Sequence, residues 1–135
     1  MAGQFHLEII TPTKVYDEGE VDYLRAPGVD GAFGVLAGHT ESIMALAIGE
    51  IKVVKGSVEK TYASTKGFAE ITHNGVQLLV ESAEPHDDID LTRAQEAFNR
   101  AKEHLNRKQD EMEDELRALR AQERSLNRLK VAAKK

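Results

Sequence analysis

Apolar and polar residues alternate in short runs along residues 1–85, whereas along residues 86–135 apolar residues recur every three or four positions. Phe5, Leu7 and Ile9 alternate with His6 and Glu8, the period-two pattern of a half-buried strand. Val21, Tyr23 and Arg25 alternate with Asp22 and Leu24 before Pro27-Gly28 turns the chain. Glu50 to Lys55 reads as a strand, turned by Lys55-Gly56-Ser57 into a second one over Val58 to Ser64. Gly67 to Thr72 and Gly75 to Ser82 flank His73-Asn74-Gly75, where Asn-Gly favours a type I′ hairpin. Ile43 to Ile48 is continuously apolar and predicts a strand buried on both faces.

Every glycine and proline of the chain lies in residues 1–85, so a turn-rich β-domain (1–85) is followed by an uninterrupted helical domain (86–135). The fold class is α+β, an N-terminal antiparallel β-sandwich or flattened barrel with a C-terminal helical hairpin able to extend. Leu91, Ala94, Phe98, Ala101 and Leu105 mark a first helix over about 89–105, with Asp88 or Asp90 as its N-cap. Met112, Leu116, Leu119, Leu126 and Leu129 mark a second over about 111–131. The polar run Asn106 to Glu111 suggests a turn between them, yet no helix breaker enforces it. Leu91, Phe98, Leu105, Met112, Leu119 and Leu126 also keep one seven-residue phase. A hairpin and a single helix of roughly 70 Å both satisfy the pattern, which makes the tail a candidate two-state element. A fixed loop at Asn106 is the simpler alternative.

Charge changes the picture of the tail. Residues 1–88 carry six Lys/Arg against fourteen Asp/Glu, and residues 89–135 carry twelve against nine. Arg117, Arg120, Arg124, Arg128, Lys130, Lys134 and Lys135 oppose only Glu123 after Leu116. A basic helix on an acidic body suits docking to an acidic protein surface. Nucleic acid is not the expected partner, because that helix has no aromatic residue for stacking and the chain's pI is about 5.5. The chain has no cysteine and no apolar run long enough to span a bilayer, and its N-terminus lacks a signal-peptide pattern. A soluble bacterial protein is the expectation.

Chemistry is sparse. No nucleophile, base and orienting group come together in the sequence, so an enzyme is not expected. His86-Asp87-Asp88 with Asp90 reads as a capping cluster rather than a metal site, and no metal is expected. Arg93 and Arg100 are two turns apart on one helix face, and Arg124 and Arg128 one turn apart on the next. Folded as a hairpin, the two pairs suit one polyphosphate; otherwise they are solvated charges.

Pro27-Gly28 and Gly31-x-Phe33-Gly34-Val35-Leu36-x-Gly38-His39 carry a resemblance to the epsilon subunit of bacterial F-type ATP synthases. It extends through Phe5 to Pro12, Gly19-Glu20-Val21-Asp22 (the family's second turn), Ile48 to Ile51, Gly67 to Ile71, Ser82 to Glu84 and Ile89-Asp90-Leu91-Thr92-Arg93-Ala94, in family order. The resemblance implies a non-catalytic rotor subunit of the central stalk. Its β-domain would bind the gamma subunit and rest on the membrane ring through Val29, Asp30, Gly31, Ala32 and Phe33, with His39 beside them. Ala32 stands where many members carry an acid, so an ionic contact there is not expected.

The tail, extended, would reach the catalytic alpha and beta subunits through Arg117, Arg120, Arg124, Arg128 and Lys130 and oppose ATP hydrolysis. Folded, it would bind ATP, with or without Mg, through Glu84, Ile89, Asp90, Arg93, Ala94, Arg100, Arg124 and Arg128. No cofactor is required. The implied setting is the cytoplasmic face of the bacterial membrane, with a monomer in isolation. The competing reading is a stand-alone interaction module whose tail dimerises as a coiled coil, against which Lys108, Glu115 and Gln122 stand on alternate core positions.

Overall fold

A computed structural model of the chain describes residues 3–106 and 112–133. It divides into two compact units, Met1–Pro85 and His86–Lys135. Among its described residues the first holds ten strands: β1 (Phe5–Ile10), β2 (Val15–Val21), β3 (Tyr23–Gly28), β4 (Gly31–Val35), β5 (Ser42–Leu46), β6 (Gly49–Lys55), β7 (Val58–Ser64), β8 (Gly67–Thr72), β9 (Gly75–Val80) and β10 (Ala83–Pro85). Hydrogen bonding runs in the order β10-β7-β6-β3-β5-β8-β9-β1-β2, with β4 paired to β3. All pairs are antiparallel except β1 with β9, where Leu7 to Ile10 run alongside Val76 to Leu79.

The sheet folds over one core of Leu7, Ile9, Leu24, Ile51, Tyr62, Leu78 and their apolar neighbours. Its two ends meet through side chains. Tyr16 on β2 packs edge-on against Tyr62 on β7, with ring centroids 5.3 Å apart, and its hydroxyl donates to the Ala83 carbonyl on β10 at 3.3 Å. The alternation in Phe5 to Ile9 is realised, with Leu7 and Ile9 fully buried.

Several expectations need correction. Asp22 breaks the run at the β2–β3 junction and reverses the alternation, so Val21, Leu24 and Ala26 are buried while Arg25 is exposed and Tyr23 half-buried. Gly19-Glu20-Val21 is not a turn. It is strand, and a bulge between Leu7 and Glu8 skips Glu18, leaving Gly19 at φ 67°. Ile43 is 72% exposed, because β5 buries only one face. The His73-Asn74 hairpin is not type I′: neither residue has positive φ, and the only positive φ there, 132°, falls on Gly75 as the next strand begins.

The second unit opens with a single 3-10 turn, His86–Asp88, followed by α1 (Leu91–Asn106) and α2 (Met112–Ala133), which pack on each other. The expected turn from Asn106 lies, at Arg107 to Glu111, outside the described residues, as do Lys134 and Lys135. Ala94 and Ala101 on α1 and Ala118, Ser125 and Ala132 on α2 are buried at seven-residue spacing. The leucine stripe expected to be buried on α2 is largely outside: Leu116, Leu119 and Leu126 are exposed, and so is Leu91 on α1. Small side chains let helix axes approach closely, so the alanine line, one residue round the helix from Leu119 and Leu126, is the one buried.

Candidate functional site

Strands β3 and β4 form a hairpin whose two-residue tip is Val29-Asp30, with Gly28 paired to Gly31. Gly31 sits at φ 126°, a backbone state that side-chain-bearing residues rarely adopt. Val29 is 60% exposed, and Asp30, Gly31 and Ala32 are also exposed, while Phe33 is half-buried against the core. Gly34 is fixed by its neighbour, since a Cβ there would lie 2.6 Å from the Tyr23 hydroxyl. The hairpin thus presents the apolar Val29, the carboxylate of Asp30 and the small residues Gly31 and Ala32 at its tip. His39 lies beyond the far end of β4, roughly 15 Å of strand from that tip. It is exposed and engages the Thr40 carbonyl through Nδ1 at 2.8 Å.

His39 instead lines a groove of about 560 Å³ with His6, Glu20, Glu41 and His73. His73 pairs with Glu41 at 2.9 Å across it. Elsewhere on the β-unit, Ala45, Phe68, Leu79 and Ile10 stand side by side in register across β5, β8, β9 and β1. Phe68 and Leu79 are exposed, so this row is an apolar stripe on the outside of the sheet.

In the helical unit, Asp90 accepts the Arg93 backbone N–H at 3.1 Å, and its carbonyl accepts from Ala94 at 2.9 Å. It is the N-cap of α1, as the capping reading expected. Ile89 is half-buried and Ala94 fully buried. Arg93 and Arg100 are exposed on α1, Arg124 and Arg128 half-buried on α2. Helices α1 and α2 pack on each other, with the end of α2 beside the turn that precedes α1. Arg117, Arg120 and Lys130 are exposed. Glu84 belongs to the other unit, on β10 opposite Ala63.

Two arrangements had little sequence signal. Glu18, only 6% exposed, accepts a hydrogen bond from the Tyr62 hydroxyl and pairs with Lys55 at 3.1 Å and Lys60 at 3.2 Å. Burial pushes its carboxyl up, but Tyr62 and the two lysines outweigh that and hold it below the usual carboxylate value. His86 faces acceptors with both ring nitrogens, Asp87 Oδ1 at 3.1 Å and the Ala132 carbonyl at 2.9 Å. It ties the start of the helical unit to the last turn of α2. Among the described residues, no helix is long and apolar enough to cross a membrane.

Comparison with known proteins gives one answer along the whole length. Residues 4–86 match the beta-sandwich domain of the ATP synthase delta/epsilon chain, and residues 87–133 match its long alpha-helix domain. The chain is 42% identical over 132 residues to an ATP synthase epsilon chain of Nitratidesulfovibrio vulgaris, covering 97% of each. It is 40% identical over 128 residues to the one from Macrococcus caseolyticus, covering 93% of this chain and 94% of that one. A chain in the solved Euglena gracilis mitochondrial ATP synthase (OSCP/F1/c-ring) has a similar fold, at a TM-score of 0.78 and 23% identity, covering 91% of this chain and 78% of that chain.

Proposed function

Because this chain belongs to the family of ATP synthase delta/epsilon chains, we propose that it is a non-catalytic rotor subunit of the central stalk whose helical unit restrains ATP hydrolysis. The observation that carries this reading is the end-to-end match, β-domain and helical domain in family order, together with a β-unit that offers exposed apolar surface.

The Val29-Asp30 tip, with Gly31, Ala32 and Phe33 behind it, meets the membrane ring. Ala32 supplies no charge of its own to that contact, which leaves Asp30 as its carboxylate. The gamma subunit covers the Phe68–Leu79 stripe, removing exposed apolar surface from water at about 25 cal/mol per Å². The assembly sits at the cytoplasmic face of the bacterial membrane.

The helical unit is the regulatory part. Extended, it presents Arg117, Arg120, Arg124, Arg128 and Lys130 to acidic surfaces of the catalytic alpha and beta subunits, with Leu119 and Leu126 as apolar anchors. Folded, its arginines Arg93, Arg100, Arg124 and Arg128 hold ATP. The α1–α2 packing and the exposure of Arg93 and Arg100 support a ligand that favours the folded form. ATP at tenfold its Kd adds ~1.4 kcal/mol to that form, enough to tip a balanced pair of states.

The test is addition of the full chain to synthase from which this subunit has been stripped. Restored coupling together with slowed ATP hydrolysis is expected. A Phe68→Glu variant then fails to rejoin the complex, while Leu119→Glu rejoins it without slowing hydrolysis. Titration of the isolated chain with ATP shows one site, weakened about tenfold or more by Arg93→Ala. A chain that never rejoins the complex overturns the rotor assignment; unchanged ATP affinity in Arg93→Ala and Arg128→Ala overturns the nucleotide site alone.

A further inference from the structure

On the outer face of the β1–β2 ladder the bulge at Glu18 has a second consequence. Turning Glu18 inward brings Asp17 directly opposite Glu8, while His6, two residues before Glu8 on β1, shares the same face. One ligand atom from each of His6, Glu8 and Asp17 lies within 4.8 Å of the others, and His6 Nε2 is already 3.2 Å from Asp17 Oδ1. Ions with bonds near 2.0–2.2 Å to nitrogen and oxygen need ligand atoms about 3.5 Å apart. Small side-chain adjustments on a rigid ladder reach that geometry.

The surroundings favour a cation. Two carboxylates directly opposed across a strand pair repel, and Glu20, opposite His6, adds a third. Against them, the only ion pair made by these four residues among the described ones is that of His6 with Asp17. Outer contacts also orient the donors: the Gly19 N–H donates to Asp17 Oδ1 at 2.9 Å, and Gln77 Nε2 on β9 donates to Glu8 Oε1 at 3.2 Å. Bonds of this kind, from groups that are not themselves ligands, are what hold metal ligands in place in proteins.

We infer that His6, Glu8 and Asp17 form a binding site for a divalent transition-metal cation of the zinc type, which rivets the end strand β2 to β1. An imidazole with two carboxylates suits zinc, cobalt or nickel better than magnesium or calcium, which take oxygen donors alone. Three protein donors leave a coordination position for water. With no thiolate in the chain, the affinity belongs in the micromolar range rather than that of closed structural zinc sites.

The experiment is titration of the chelator-treated full chain with zinc alone, followed by calorimetry, thermal unfolding and the imidazole nitrogen resonances. One zinc per chain is expected, with the His6 resonances moving first and Tm rising. Glu8→Gln and Asp17→Asn keep the side-chain shape and the acceptor oxygen used by Gln77 or Gly19, so they fold, and each weakens binding about tenfold or more. His6→Asn removes the zinc-dependent rise in Tm, whereas His73→Asn leaves it intact. No saturable binding up to millimolar zinc overturns the site. So does binding that is equally tight in all three ligand variants, or that leaves the His6 resonances of the unaltered chain unmoved.

Discussion

Tyr62 on β7 donates its hydroxyl to the carboxylate of Glu18 on β2, joining two strands that share no ladder. This bond lies where the two ends of the sheet come together, and Tyr16 packs against the same ring. Removing the hydroxyl by Tyr62→Phe leaves one side of a nearly buried carboxylate without its donor. A loss of about 1–3 kcal/mol is expected, read as a lower urea midpoint with an unchanged slope. A midpoint within error of the unaltered chain would mean the lysines alone satisfy Glu18.

The same group sets an acid limit. Glu18 ionises below its ordinary value near 4.5 in the folded chain. Its contribution to stability is therefore complete above that unfolded value and is lost as pH falls through the lower folded one. Stability measured from pH 6 to about pH 3 should fall in the unaltered chain, and the part of that slope due to Glu18 should vanish in Glu18→Gln. An identical slope in both would place the acid sensitivity elsewhere among the carboxylates.

A backbone contact predicts a larger effect. A Cβ on Gly67 would strike the backbone of Leu79 and Val80 on β9, which cannot rotate away as a side-chain tip does. Gly67→Ala should cost on the order of 3 kcal/mol and open the β8–β9 pairing. Gly56→Ala offers the contrast: its Cβ meets nothing within 4 Å, and only its φ of 59° is strained. Unfolding both variants in denaturant tests the order of the two losses; an equal or reversed order would show that β9 shifts to make room.

Where the sequence could be read, the signal was local. Gly56-Ser57 and His73-Asn74 end one strand and start the next because turns depend on neighbouring residues, and Asp90 caps α1 because capping needs only the next turn. The errors arose where a distant element decides. Nothing near Asp22 signals that the alternation reverses there, and nothing near Glu18 signals Tyr62, 44 positions away. In α2, the leucine and alanine lines have equally good periodicity, and only the partner helix selects the alanines. At the proposed sites, residue type named the arginines and the hairpin tip. The grouping of His6, Glu8 and Asp17 needed the bulge, which is a property of the pairing and not of β1 alone.

The alanine line makes its own prediction. Ala101 on α1 is buried, whereas Leu119 on α2 is half exposed. Ala101→Leu should cost about 1–3 kcal/mol by forcing the buried face apart, and Leu119→Ala should stay within about 0.5 kcal/mol. Thermal unfolding ranks the two, and a larger loss from Leu119→Ala would restore the leucine stripe as the packed face.

His86 provides the last test, because it holds the carbonyl of Ala132 at the end of α2 from a turn that precedes α1. Its Nε2–H donates to that carbonyl, one of the last carbonyls of α2, which have no partner within the helix. A helical unit that extends must break this bond first. His86→Ala should therefore speed amide exchange in the last turn of α2 and weaken the folded form by about 0.5–1.5 kcal/mol, leaving the β-unit's exchange unchanged. If the extended tail is the inhibitory form proposed above, the same variant should slow ATP hydrolysis more strongly in the assembled synthase. Faster exchange in α2 without stronger inhibition would separate the latch from the regulatory motion. Unchanged exchange in α2 would show that the packing of α1 on α2 alone holds the hairpin closed.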